Sequence, residues 1–178
     1  MQFKSFLYLA SVLAVSLAST PQTVLSDLTA LQSSITTLDN AINAFPNTGG
    51  SLVAALAIHT DAQNTETALG QTTTDAQALS PSPVSVADGT SIINEVNVIR
   101  PIIEDALTAI VAKKPAFDAL PLGGVSALVL QDLQALSADT QTLATALIAA
   151  TPASLQSQAN SLANEIESAF ATAIAAYS

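Results

Sequence analysis

Apolar residues recur along this chain at alternating spacings of four and three. Val24, Leu28, Leu31, Ile35, Leu38, Ile42 and Phe45 make one stripe, and Val129, Leu133, Leu136, Thr140, Leu143 and Leu147 make a second. Leu155, Ala159, Leu162, Ile166, Ala169, Ala173 and Ala176 make a third. This spacing puts each set on one face of an α-helix, and that face must be buried against other helices. No sustained period-two alternation competes with it. The pattern predicts an all-α protein: a single-domain antiparallel bundle of five long amphipathic helices without disulfides.

Punctuation between the stripes sets the expected boundaries. Helix one is expected from Gln22 to Phe45, capped by Thr20-Pro21 and ended by Pro46-Asn47-Thr48-Gly49-Gly50. Helix two follows from Ser51 to Leu79, with Leu52, Leu56, Leu69 and Leu79 inward. Ser80-Pro81-Ser82-Pro83 reads as a stiff linker. Helix three starts near Ser85, with Asp88 as a capping-box-like acid, and carries Ile92, Val96, Ile99, Ile103, Ala106 and Ile110 inward. Pro101 should kink it. Lys113 and Lys114 suit the negative end of its dipole, and Pro115 should stop it, leaving Ala116–Gly124 as a loop. Helix four is expected over Val125–Ala150, and Thr151-Pro152 should open helix five. Helices of about 24–28 residues span roughly 36–42 Å at 1.5 Å per residue.

Residues 1–18 read as a secretory leader rather than part of the bundle. Lys4 supplies a weak basic start, Phe6 to Val15 an apolar run, and Ser16-Leu17-Ala18 the small residues that favour cleavage after Ala18. The run is too interrupted by serine for a membrane anchor. The apolar Ala169–Tyr177 continues the stripe of its own helix and reads as its last turns. Residues 19–178 then form the domain, 160 residues long, enough for one core.

Composition narrows the function classes. Arg100, Lys113 and Lys114 face 14 acids in the domain, so its net charge is −11. A chain this acidic does not bind nucleic acid or anionic membranes by charge, and copies of it repel, so a monomer is expected. There is no cysteine, so the core must hold without disulfides. Alanine is abundant, 34 of 178 residues. An alanine-rich bundle either packs its helices tightly or leaves a cavity.

Candidate chemistry is sparse. His59, the only histidine, falls in register with Leu52, Leu56, Ala62 and Leu69, and Gln63 and Glu66 follow on the same face. Such a polar triplet on an apolar face can anchor a ligand head group, although polar interior groups more often simply need partners. One histidine and no cysteine cannot make a structural zinc site. No Gly-x-Ser-x-Gly elbow exposes a nucleophile for His59, no glycine-rich loop cradles phosphate, and no carboxylates converge. Neither enzymatic activity nor a cofactor is expected.

The whole domain resembles the fungal hydrophobic surface binding protein A family, which includes ligand-binding domains of cell-wall galactomannoproteins. The resemblance is carried by the leader, the Val24–Phe45 stripe, and Leu79-Ser80 ahead of the Asp88-containing helix start. Ile102-Ile103-Glu104-Asp105-Ala106-Leu107 leading to Lys113-Lys114-Pro115-Ala116-Phe117, and the closing Ile166–Tyr177 helix, complete it. It implies secreted or wall-associated five-helix bundles. For some members it implies binding of long-chain fatty acids or related lipids inside the bundle. For others it implies adsorption to hydrophobic surfaces and recruitment of a lipolytic enzyme.

Three functions compete: enclosing an apolar molecule, spreading the helices on a hydrophobic solid, and passive residence in a wall. Burying a methylene is worth about 0.8 kcal/mol, so an acyl chain can drive the first without many polar contacts. The inward stripes give Phe45, Leu56, Ile99, Ile103, Leu133, Leu143, Ile166 and Phe170 as expected walls for a fatty acid or similar amphiphile. His59 and Gln63 are its expected polar end, with Glu66 opposing an anionic head.

Overall fold

The computed structural model describes residues 18–121 and 123–178. The expected leader lies almost wholly outside them. Five α-helices follow in order: α1 (Pro21–Ala44), α2 (Leu52–Gln77), α3 (Val86–Asp118), α4 (Val125–Ala150) and α5 (Gln156–Tyr177). Among the described residues there is no strand. A lone parallel bridge joins Ser19 to Leu79 and ties the start of α1 to the end of α2. None of these helices is long and apolar enough to cross a membrane.

The starts of the first three helices are written in their capping residues. Thr20 and Ser51 accept from the backbone N–H of Thr23 and Ala54. Ser85 Oγ accepts from Asp88 N at 3.1 Å and donates to the Asp88 carboxylate at 2.6 Å. These caps satisfy donors that every helix start leaves unpaired. Gly124 precedes α4 with φ +98°, a left-handed conformation that favours glycine.

Two boundaries depart from expectation. Pro115 does not stop α3, which runs on to Asp118. Ala116 and Phe117 are buried, and the Phe117 ring meets Phe45 with centroids 4.5 Å apart. Burying a phenylalanine gains about 1.5–3 kcal/mol, comparable to the roughly 3 kcal/mol that an interior proline costs. Lys113 and Lys114 therefore lie inside the helix rather than at its end. Lys113 reaches across to Asn43 O and Asn47 Oδ1, at the C-terminal end of α1. At the other boundary, Thr151-Pro152 does not open α5. Residues 152–155 form a turn, closed by Leu155 N donating to Pro152 O, and the helix begins at Gln156. Pro152 and Leu155 press on Gly89, where a Cβ would stand 3.0–3.1 Å from them.

The helices close into a ring in the order α1, α2, α4, α5, α3 and back to α1. Successive helices alternate in direction. Neighbours in the ring are partly parallel: Lys113 joins the C-terminal ends of α1 and α3, and the Tyr177 hydroxyl donates to Ile110 O at 2.7 Å, joining those of α3 and α5. α1 and α4 turn their stripes to the centre of the ring. α1 packs extensively on α2 and α3, and α2 on α4, whereas α5 is held less extensively on both sides. At the polar edges of those two seams, Arg100 Nη1 meets Glu165 at 2.9 Å and Gln141 Nε2 donates to Glu167 at 2.6 Å.

Candidate functional site

The centre of the ring is not filled. A cavity of about 120 Å³ runs between all five helices. Leu28, Leu31, Ile35, Leu38 and Ile42 of α1 line it, with Ile58, Ala62, Thr65 and Leu69 of α2. α3 contributes Val96, Ile99, Ile103, Ala106, Leu107 and Ile110. α4 contributes Val129, Asp132, Leu133, Leu136, Thr140, Leu143, Ala144 and Leu147, and α5 Ile166 and Phe170. The reason is visible in the sequence. Alanine at 62, 106 and 144 stands where larger side chains would meet, and β-branched residues hold stiff rotamers around the gap.

Of the expected walls, Ile99, Ile103, Leu133, Leu143, Ile166 and Phe170 meet around this space. Phe45 does not. It is buried at the end of the bundle, under Phe117. Leu56 does not either, being 45% exposed. The inward face of α2 is Ala55, Ile58, Ala62, Thr65, Leu69, Thr72 and Ala76, one position away from the Leu52–Leu56 register. Threonines take core positions because their hydroxyls bond within the helix. Thr65 donates to Asp61 O at 2.9 Å and Thr72 to Ala68 O at 2.8 Å, which leaves their methyl groups free to pack.

The same shift in register separates the expected polar triplet. Gln63 is exposed, and its carbonyl accepts from Thr67 on the outer surface. His59 flanks the cavity without lining it. Its Nδ1 lies 2.9 Å from both carboxylate oxygens of Asp132. Asp132 does line the cavity, and its side chain is only 13% exposed, against 25% for His59. Burial raises the Asp132 pKa above the ordinary carboxylate value, and the hydrogen bond and charge of His59 oppose that shift. Glu66 is raised too, first by burial, then by the charges of Asp132 and Asp139. A signal for Asp132 was present in the sequence. It stands four and eight residues before Leu136 and Thr140, and so shares their face of α4.

A second depression, of about 750 Å³, lies open between α3 and α5. Arg100 is its only cation among the described residues, and its guanidinium is already shared between Glu104 at 3.2 Å and Glu165 at 2.9 Å. No group of three or more His, Cys, Asp or Glu among the described residues is placed to hold a metal ion.

A family model described as "Hydrophobic surface binding protein A" matches residues 21–149. No curated protein matches the chain by sequence. Among solved structures, Afmp4p in complex with palmitic acid is 39% identical, with TM-score 0.81, covering 89% of this chain and 99% of that one. Ligand-binding domain 1 of the Penicillium marneffei MP1 protein, complexed with arachidonic acids, has TM-score 0.78 at 19% identity, covering 89% of this chain and 99% of that one. Domain 2 of the same protein, complexed with multiple arachidonic acids, has TM-score 0.74 at 16% identity, covering 88% and 93%. The two MP1 likenesses establish the shared five-helix fold.

Proposed function

We propose that this chain, which belongs to the hydrophobic surface binding protein A family, encloses the acyl chain of a fatty acid or similar amphiphile in the centre of its helical ring. The observation that carries this reading is the cavity, whose lining is apolar apart from Thr65, Asp132 and Thr140. The palmitic acid bound by the related Afmp4p supports it. The size of the cavity adds a condition. An apolar cavity of about 150 Å³ takes a molecule the size of benzene. An acyl chain of sixteen carbons therefore requires the ring to widen, and the least extensive seams are those of α5.

The reading is non-enzymatic. His59 makes its side-chain hydrogen bonds to Asp132, and no serine hydroxyl is within bonding distance of the ring among the described residues. It also includes secretion with cleavage after Ala18. Ser19 N donates to Ala78 O at 2.9 Å, at the C-terminal end of α2. An α-amino group freed there would meet the negative pole of that helix.

The test is a titration of the protein with palmitate, beside Leu133→Trp and Leu143→Trp. The proposal expects saturable binding that weakens at least tenfold when an indole occupies the cavity, with helical circular dichroism kept. Equal binding by both variants would place the lipid elsewhere.

A further inference from the structure

We infer that the His59–Asp132 pair is the head-group subsite of the cavity, and that it selects amphiphiles with an uncharged hydroxyl head over those with a carboxylate anion. This rests on the acyl-chain reading above.

Position comes first. Among the described residues, Asp132 is the only ionisable one in the cavity lining. Both it and His59 retain a fraction of solvent contact, as the polar end of an amphiphile needs. The pair sits about two turns inside α2 and α4, at the bundle end that holds Phe45 and Phe117. A head group there leaves the rest of the cavity, toward Leu143 and Leu147, for the chain.

Chemistry comes second. With Nδ1 facing both carboxylate oxygens at 2.9 Å, the neutral imidazole that satisfies this contact carries its proton on Nδ1. Its Nε2 is then an acceptor. One N–H shared by two oxygens leaves the carboxylate with spare acceptor capacity. With the imidazole proton on Nδ1 spent on Asp132, the pair offers the cavity the spare acceptors of the Asp132 carboxylate and no second donor. A hydroxyl head can donate to it, whereas a carboxylate anion, an acceptor only, cannot.

Charge points the same way. Glu66 feels the charges of Asp132 and Asp139, opposed by His59, so acids of α2 and α4 face one another beside the pair. Among the described residues no Lys or Arg lines the cavity. Arg100 is committed to Glu104 and Glu165, Lys113 to Asn43 and Asn47, and Lys114 to Asp118. No Lys or Arg among the described residues is placed inside the ring to neutralise an entering carboxylate.

The experiment is a competition at pH 8. The protein is incubated with equimolar hexadecan-1-ol and palmitate, freed of unbound lipid by gel filtration, and its bound lipid extracted and quantified. We expect the alcohol to exceed palmitate at least tenfold. Asp132→Asn replaces an acceptor with an amide that can donate and removes the charge. It should improve palmitate relative to the alcohol at least fivefold. Palmitate bound as well as the alcohol by the unaltered protein overturns the inference while leaving the acyl-chain reading intact. An unchanged ratio in a folded Asp132→Asn protein does the same, and reduces the pair to a tie between α2 and α4. If that variant loses its helical signal, the ratio in the unaltered protein decides alone. Binding of neither lipid sinks the acyl-chain reading, and the inference with it.

Discussion

Single atoms decide several features of this bundle. Gly50 lies under the Phe45 ring, and a Cβ there would stand 2.4 Å from the ring edge. The ring cannot retreat, because Phe117 packs against it at 4.5 Å. Gly50→Ala should therefore destabilise the protein by about 1–3 kcal/mol, the usual cost of overpacking, read as a lowered midpoint in urea unfolding. Gly49→Ala meets no atom within 4 Å but sits at φ +70°. It should cost about 1 kcal/mol through backbone strain alone. Equal, negligible effects at both positions would show that the α1–α2 loop tolerates a different path. The same scale decides which face of α2 is buried. Leucines at 52 and 56 outweigh threonines at 65 and 72 by hydropathy, yet the threonines are buried and Leu56 is not. Hydropathy counts the hydroxyl as polar, whereas in the helix it is already bonded to a carbonyl one turn back.

Whole elements were more legible than their ends. The α1 and α4 stripes fall on the core as their spacing requires, and every member of the Val129–Leu147 series lines the cavity. Large aliphatic side chains at strict spacing admit only one inward face. The ends of α3 and α5 were not legible, because tertiary burial of Phe117 and the packing of Pro152 on Gly89 overrule what proline does locally. The ring order was beyond reach as well. Loop lengths set which helices alternate in direction, not that α2 lies beside α4 and α3 beside α5. That order has a dynamic consequence. α5 is held by the least extensive seams, with a partly exposed ion pair, Arg100–Glu165, of the kind that typically contributes about 0–1 kcal/mol. Amides of α5 should exchange hydrogen faster than those of α1, and bound lipid should slow α5 most. Uniform protection across the five helices would remove α5 as the moving wall.

The molecule as a whole carries an unusual electrostatic signature. Burial is the leading cause of raised carboxyl pKa values at Asp27, Asp39, Glu66 and Asp132. Neighbouring acids add to the shift: Asp75 at Asp27, Asp105 at Asp39, and Asp132 and Asp139 at Glu66. Asp118 moves the opposite way, held down by Lys114 and Ser126. An acid whose pKa is raised by folding keeps its proton in the native state at a pH where the unfolded chain has lost it. Its stabilising contribution is thus present below the ordinary values of 3.8 for Asp and 4.5 for Glu. It is lost as pH rises from there through the raised native values. Self-repulsion at net charge −10 adds to the trend near neutrality. Thermal unfolding should show a midpoint that falls as pH is raised from the ordinary carboxyl values toward neutrality. A midpoint that rises steadily toward neutral pH would contradict the burial of these groups.

Native mass spectrometry of the protein, before and after incubation with excess palmitate or hexadecan-1-ol, tests the central claim most directly. Lipid enclosed by the ring predicts discrete adducts at the mass of one or a few lipid molecules, on a compact charge-state distribution, and their loss in Leu133→Trp. A bare polypeptide mass under every condition, or a continuous smear of adducts indifferent to Leu133→Trp, would contradict it.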